Sequence, residues 1–124
     1  MHRSRLTALF IDVPADDYDA ASRFWAGAFG SDVRQSQKYE EYRGVGSPRG
    51  LEAYVQRLGS GDARLHLDIE TDDVDAEVAR LEALGATGLE AVESWWIMQD
   101  PAGVVFCVVP PQGGDFPADS TEWE

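Results

Sequence analysis

The chain repeats itself, and that repeat restricts its fold more than any other feature of the sequence. Leu9 to Ala20 lies over Leu65 to Ala76 at a constant offset of 56 residues, with six of twelve positions identical. Ile11 with Leu67 and Val13 with Ile69 exchange similar aliphatics at matching strand positions. Each copy fills about half of the 124 residues, so the pattern is a duplicated unit and not a long tandem array.

Both copies read alike. Leu65, Leu67 and Ile69 alternate with His66, Asp68 and Glu70, the period of a strand covered on one face. An acid-rich helix start follows, with Asp16 and Asp72 suited to cap it. Val74, Val78, Leu81 and Leu84 recur at helical spacing and end at Gly85; Tyr18, Ala21, Trp25 and Ala28 run to Gly30 in the first copy. Strands are then expected at Val33 to Gln37, Tyr39 to Arg43 and Leu51 to Leu58, and again at Thr87 to Ala91, Trp95 to Gln99 and Val104 to Val109. Asp100-Pro101-Ala102-Gly103 is the chemistry of a tight turn. Each half is therefore βαβββ, and the class is α+β. One domain is expected over residues 1–111, with module one at about 5–58 and module two at about 64–110. Pro110-Pro111-Gln112-Gly113-Gly114 closes it, residues 112–124 read as a C-terminal surface tail, and His2 reads as frayed.

Charge and cysteine content narrow the function. Residues 1–64 balance nine basic against nine acidic side chains, whereas residues 65–124 carry fourteen acids and only Arg80, which gives the net charge of -13. Such a surface repels phosphate backbones, excludes nucleic acid as a partner and attracts cations. The single cysteine, Cys107, excludes an internal disulfide and a multi-cysteine zinc module and points to a reducing compartment. Val104 to Val109 is far too short to span a membrane, so the expected setting is cytoplasmic, with no membrane partner.

Asp12-Val13-Pro14-Ala15-Asp16 with Arg23-Phe24-Trp25, His66 to Asp73 with Leu81 to Ala86, and Asp100 to Gly103 with Phe106 to Val109 together resemble the glyoxalase/bleomycin-resistance/dioxygenase (vicinal oxygen chelate) superfamily, in particular its glyoxalase-like members. The resemblance implies two βαβββ modules whose mixed sheet curls around a cleft. Catalytic members hold a divalent metal on four cleft positions, which the resemblance and the internal offset place at Phe10, Gln56, His66 and Cys107. Phe10 has no lone pair, Gln56 is a neutral oxygen donor, and no carboxylate completes the set for Mg²⁺ or Mn²⁺. A Zn²⁺ site on His66 and Cys107 with Gln56 is the residual metal option. The plainer reading makes His66 a stacked or hydrogen-bonded strand residue and Cys107 a small buried apolar group. Asp68 and Glu70 share the face of His66, but Asp12 repeats Asp68, which favours a structural role.

No nucleophile elbow surrounds a serine, Gly44-Val45-Gly46 runs into Ser47-Pro48 without a helix start, and no catalytic residue is assigned. Trp95 and Trp96 point to opposite faces. A three-residue loop at Pro101-Ala102-Gly103 would pair Ile97 with Cys107 and put Trp95 on the Cys107 face; a four-residue loop would choose Trp96. The expected ligand-binding set is Phe10, Tyr54, Gln56, His66, Trp95 and Cys107, with no metal and no cofactor. It describes a binder of a small aromatic or cationic molecule, similar to the bleomycin-resistance branch and expected to form a homodimer to which Trp123 adds an apolar contact. The alternatives are a metal-dependent lyase, isomerase or dioxygenase, and an accessory domain acting through its surface.

Overall fold

A computed structural model describes residues 1–112 and 114–124. Gly113, in the segment expected to close the domain, lies outside the described residues. The chain divides into two compact units, Ala8–His66 and a second made of Met1–Thr7 with Leu67–Glu124. Strands β1 (His2–Pro14) and β5 (Arg64–Thr71) carry the chain from one unit to the other.

In the first unit, β1 from Ala8 runs parallel to β4 (Glu52–Leu58), with Phe10 opposite Tyr54 and Asp12 opposite Gln56. Strand β3 (Tyr42–Gly46) pairs antiparallel with β4, and the short β2 (Arg34–Gln35) with β3. Alternation sends Ile11, Val13, Ala53 and Val55 to one face, where they meet α1 (Tyr18–Ala28) and its Tyr18 and Ala26. Ala21, Trp25 and Phe29 pack against this core. The helix stripe is thus turned from the expected one: Ala28 is exposed, and the buried Ser22 satisfies its hydroxyl by donating to Tyr18 O at 2.6 Å.

The second unit repeats the plan. Strand β8 (Val105–Val109) runs parallel to β5, β7 (Trp95–Gln99) antiparallel to β8, and β6 (Thr87–Val92) antiparallel to β7. Helix α2 (Val74–Ala83) covers one face with Val78, over Met98, Phe106 and Val108. Gly85 takes φ +116° after α2, as a left-handed helix end requires. The mixed sheets with two helices make the class α+β. No described helix is long and apolar enough to cross a membrane.

Several local expectations are corrected. The cap of α2 is Asp73, accepting from Ala76 N at 3.0 Å, because Asp72 is taken by the backbone N–H of Arg3 at 2.8 Å. In α1 a 3-10 turn over Ala15–Asp17 moves the cap position to Asp17, whose side chain makes no capping bond. His2 is not frayed: it is 6% exposed, and its Nε2 lies 2.7 Å from Glu77 Oε1. The tail is structured too. Strand β9 (Thr121–Trp123) pairs antiparallel with β1 at His2, Arg3 and Ser4. Trp123 Nε1–H donates to Ser4 Oγ at 2.9 Å, and the Arg80 guanidinium lies 3.8 Å from the indole centroid, so these contacts hold Trp123 within its own chain.

Candidate functional site

The sheet face of the first unit away from α1 collects Phe10, Asp12, Tyr42, Tyr54, Gln56 and His66, because residues two apart on a strand share a face and the register stacks them across strands. Phe10 is the centre. Its ring lies parallel to the His66 imidazole at 4.5 Å and 5°, stacks on Tyr54 at 5.1 Å and 19°, and meets Tyr42 edge-on at 5.6 Å. Each such pair is worth about 0.5–1.5 kcal/mol beyond area burial, so the group holds its shape without a ligand.

A carboxylate sits among these rings. Asp12 is 2% exposed, its Oδ2 lies 2.6 Å from His66 Nδ1, and Arg64 Nε is 3.8 Å away. Accepting from Nδ1–H, the carboxylate fixes the tautomer and plane of the imidazole. Asp12 Oδ1 is buried and accepts no hydrogen bond among the described residues. A buried acceptor left in this state costs about 1–3 kcal/mol.

Of the expected binding residues, Phe10, Tyr54, Gln56 and His66 come together on this face. Trp95 and Cys107 belong to the second unit. There the turn is the three-residue one: Asp100 N–H donates to Val104 O at 2.9 Å and Ile97 is opposite Cys107, so Trp95 shares the Cys107 face. Trp96 joins the core beneath α2. Asp68 is the register partner of Cys107, with donor atoms within 4.8 Å. Asp12 and Tyr42 were missed as site residues. Asp12 carries a signal, since its repeat partner Asp68 shares a strand face with His66, although its repetition in the second copy points to a structural role.

The four metal positions implied by the resemblance do not fit Mg²⁺ or Mn²⁺. Phe10 offers no donor, its ring covers a face of His66, and the Cys107 thiol is buried. Oxygen-seeking cations need carboxylates, and the four positions hold none.

Comparison with known proteins agrees with the architecture. A "Glyoxalase-like domain" profile matches residues 8–109. No curated protein matches the sequence. Among solved structures, a methylmalonyl-CoA epimerase is similar over 86% of this chain and 95% of its own, at 17% identity and a TM-score of 0.52. A 4-hydroxymandelate synthase variant from Streptomyces coelicolor is similar over 90% of this chain and 50% of its own, at 12% identity and a TM-score of 0.58. An NAD-dependent benzaldehyde dehydrogenase from Legionella pneumophila aligns over 84% of this chain and 99% of its own, at 8% identity and a TM-score of 0.58. At these identities the likeness is one of fold. The profile match, spanning most of the chain, places this protein in the glyoxalase-like domain family.

Proposed function

We propose that this chain binds a small cationic aromatic molecule without a metal ion, using the face built on Phe10. The observation that carries the reading is the buried Asp12 carboxylate, which has one oxygen on His66 and one unsatisfied acceptor, in the midst of aromatic rings. Rings offer stacking surface and attract cations by about 0.5–2 kcal/mol each, depending on desolvation. The net charge of -13 adds long-range attraction for a cation and repulsion for an anion.

A thermal-shift panel of matched cationic, neutral and anionic aromatics at low and high salt tests this. Stabilisation by the cationic members, lost in Asp12→Asn and Phe10→Ala, is the expected result. Equal response to all three classes, or preference for the anionic one, overturns it. A metal-dependent lyase, isomerase or dioxygenase is the second reading, favoured by the Asp68 and Cys107 donor pair with His66 two residues before Asp68 on β5. One divalent ion held per chain, lost on His66→Ala, would establish that reading instead. The proposal also includes a cytoplasmic setting, supported by the lone cysteine, and a homodimer, supported by the exposed Phe24. A monomer by light scattering at high micromolar concentration would remove the dimer.

A further inference from the structure

The 56-residue offset that aligns the modules also aligns the inner faces of their helices. In the first unit Trp25 and Phe29 pack against the core beneath α1. Trp25 falls at the position of Leu81, and Phe29, the last residue before the left-handed Gly30, at that of Leu84, the last residue before the left-handed Gly85. Leu81 is smaller than an indole, and Leu84, 69% exposed, turns mostly to solvent where Phe29 packs inward. An indole and a phenyl ring present in one helix–sheet interface are therefore missing from the other, and there the second unit contains a cavity of about 440 Å³.

Its walls include Leu67 and Ile69 of β5, Leu81 and Leu84 at α2, Phe106 of β8 and Trp123 of β9. The charges at its margin are already engaged. Glu77 is held by Arg80 and His2, Arg5 by Glu70 and Asp115, and Asp100 accepts from its own turn. The volume lies within the roughly 300–1,000 Å³ typical of small-molecule pockets. Part of the wall, from β9 and the start of β1, lies outside residues 8–109 and so outside the match to the family.

We propose that this cavity is a binding site for a neutral, apolar small molecule, which takes the space that Trp25 and Phe29 occupy in the first module. A charged ligand would lose its hydration here without meeting an unengaged counter-charge. The site shares no residue with the face built on Phe10, so either can fail without the other.

The test uses the full chain and N-phenyl-1-naphthylamine, an uncharged dye that brightens in apolar surroundings. The expected result is saturable emission at one dye per chain, displaced by 1-decanol but not by decyltrimethylammonium. Leu81→Trp restores an indole to the position and should abolish the signal with the circular dichroism spectrum unchanged. Leu84 is 69% exposed, so Leu84→Lys leaves the fold intact and carries the test if the larger side chain does not pack. It should weaken binding about ten-fold, the scale of losing one apolar contact surface. No saturable emission, unchanged emission in both variants, or equal displacement by the cationic amphiphile overturns the proposal. So does a dimer that Leu84→Lys dissociates, which would mean that a second copy covers the cavity.

Discussion

Helix α1 presents Ala21 and Trp25 to its sheet where α2, 56 residues later, presents Glu77 and Leu81. Strand pairing in the two modules is nearly superimposable in register: Ile11 faces Val55 as Leu67 faces Phe106, and Asp12 faces Gln56 as Asp68 faces Cys107. The interiors under the helices differ in kind. One is filled with aromatic rings, and the other holds a fully buried carboxylate that gathers His2 and Arg80. Backbone pairing in a repeated module is thus the rigid part, and the helix's inner face is where a copy can take on new chemistry, provided each buried charge finds partners.

The largest expected effect breaks that polar interior. Glu77→Leu removes the common partner of His2 and Arg80 and should cost about 3–5 kcal/mol by urea denaturation, the usual penalty for leaving half of a buried ion pair. A loss below about 1 kcal/mol would mean that the charged interior is no more demanding than the aromatic one. The same residue gives a pH signature. Burial raises the Glu77 carboxyl, and hydrogen bonds from Arg80, His2 and Ser4 outweigh this, so it titrates below its ordinary 4.5. A lowered folded-state value contributes stability above pH 4.5 that is lost as pH falls through the folded value. Acid unfolding should therefore be shallower in Glu77→Gln, and an identical pH profile would count against this account.

A second experiment compares the two fillings. Trp25→Ala should cost about 3 kcal/mol and Leu81→Ala about 2 kcal/mol or less, because the latter enlarges a space that already exists. Equal or reversed costs would show that the second interface is as tightly filled as the first. The smallest effect concerns the helix starts. Asp73→Ala should cost about 1 kcal/mol, the usual value of an N-cap, whereas Asp17→Ala should change stability by less than about 0.5 kcal/mol. Similar losses at both positions would remove the distinction between the two caps.

What the sequence revealed was local. Alternation and turn chemistry suffice to locate β7 and β8, and the three-residue loop after Asp100, with Gly103 at φ +97°, settles which tryptophan accompanies Cys107. Strand β3 was harder to read. Its glycines and a register shift between Gly44 and Gly46 blur the alternation, and the strand starts at Tyr42 instead of Tyr39. The repeat paired Phe10 with His66, and the family resemblance supplied Gln56 within Tyr54-Val55-Gln56. The bond from His66 to Asp12 joins residues 54 apart, and the bond from Trp123 to Ser4 joins residues 119 apart. Such pairings leave no periodic trace along the chain, which is why the tail read as loose and His2 as frayed.

The pairing of β9 with the start of β1 has a consequence for synthesis. Residues 1–7 are synthesised before residues 8–66, yet their partners Asp72, Glu77 and Trp123 are synthesised after them. The unit from Ala8 to His66 is contiguous and can close as soon as it emerges, whereas the other must keep its opening strand waiting until Thr121–Trp123 appear. The two modules, so alike in plan, therefore close in order: one needs only residues 8–66, and the other cannot be complete before Trp123 has been made.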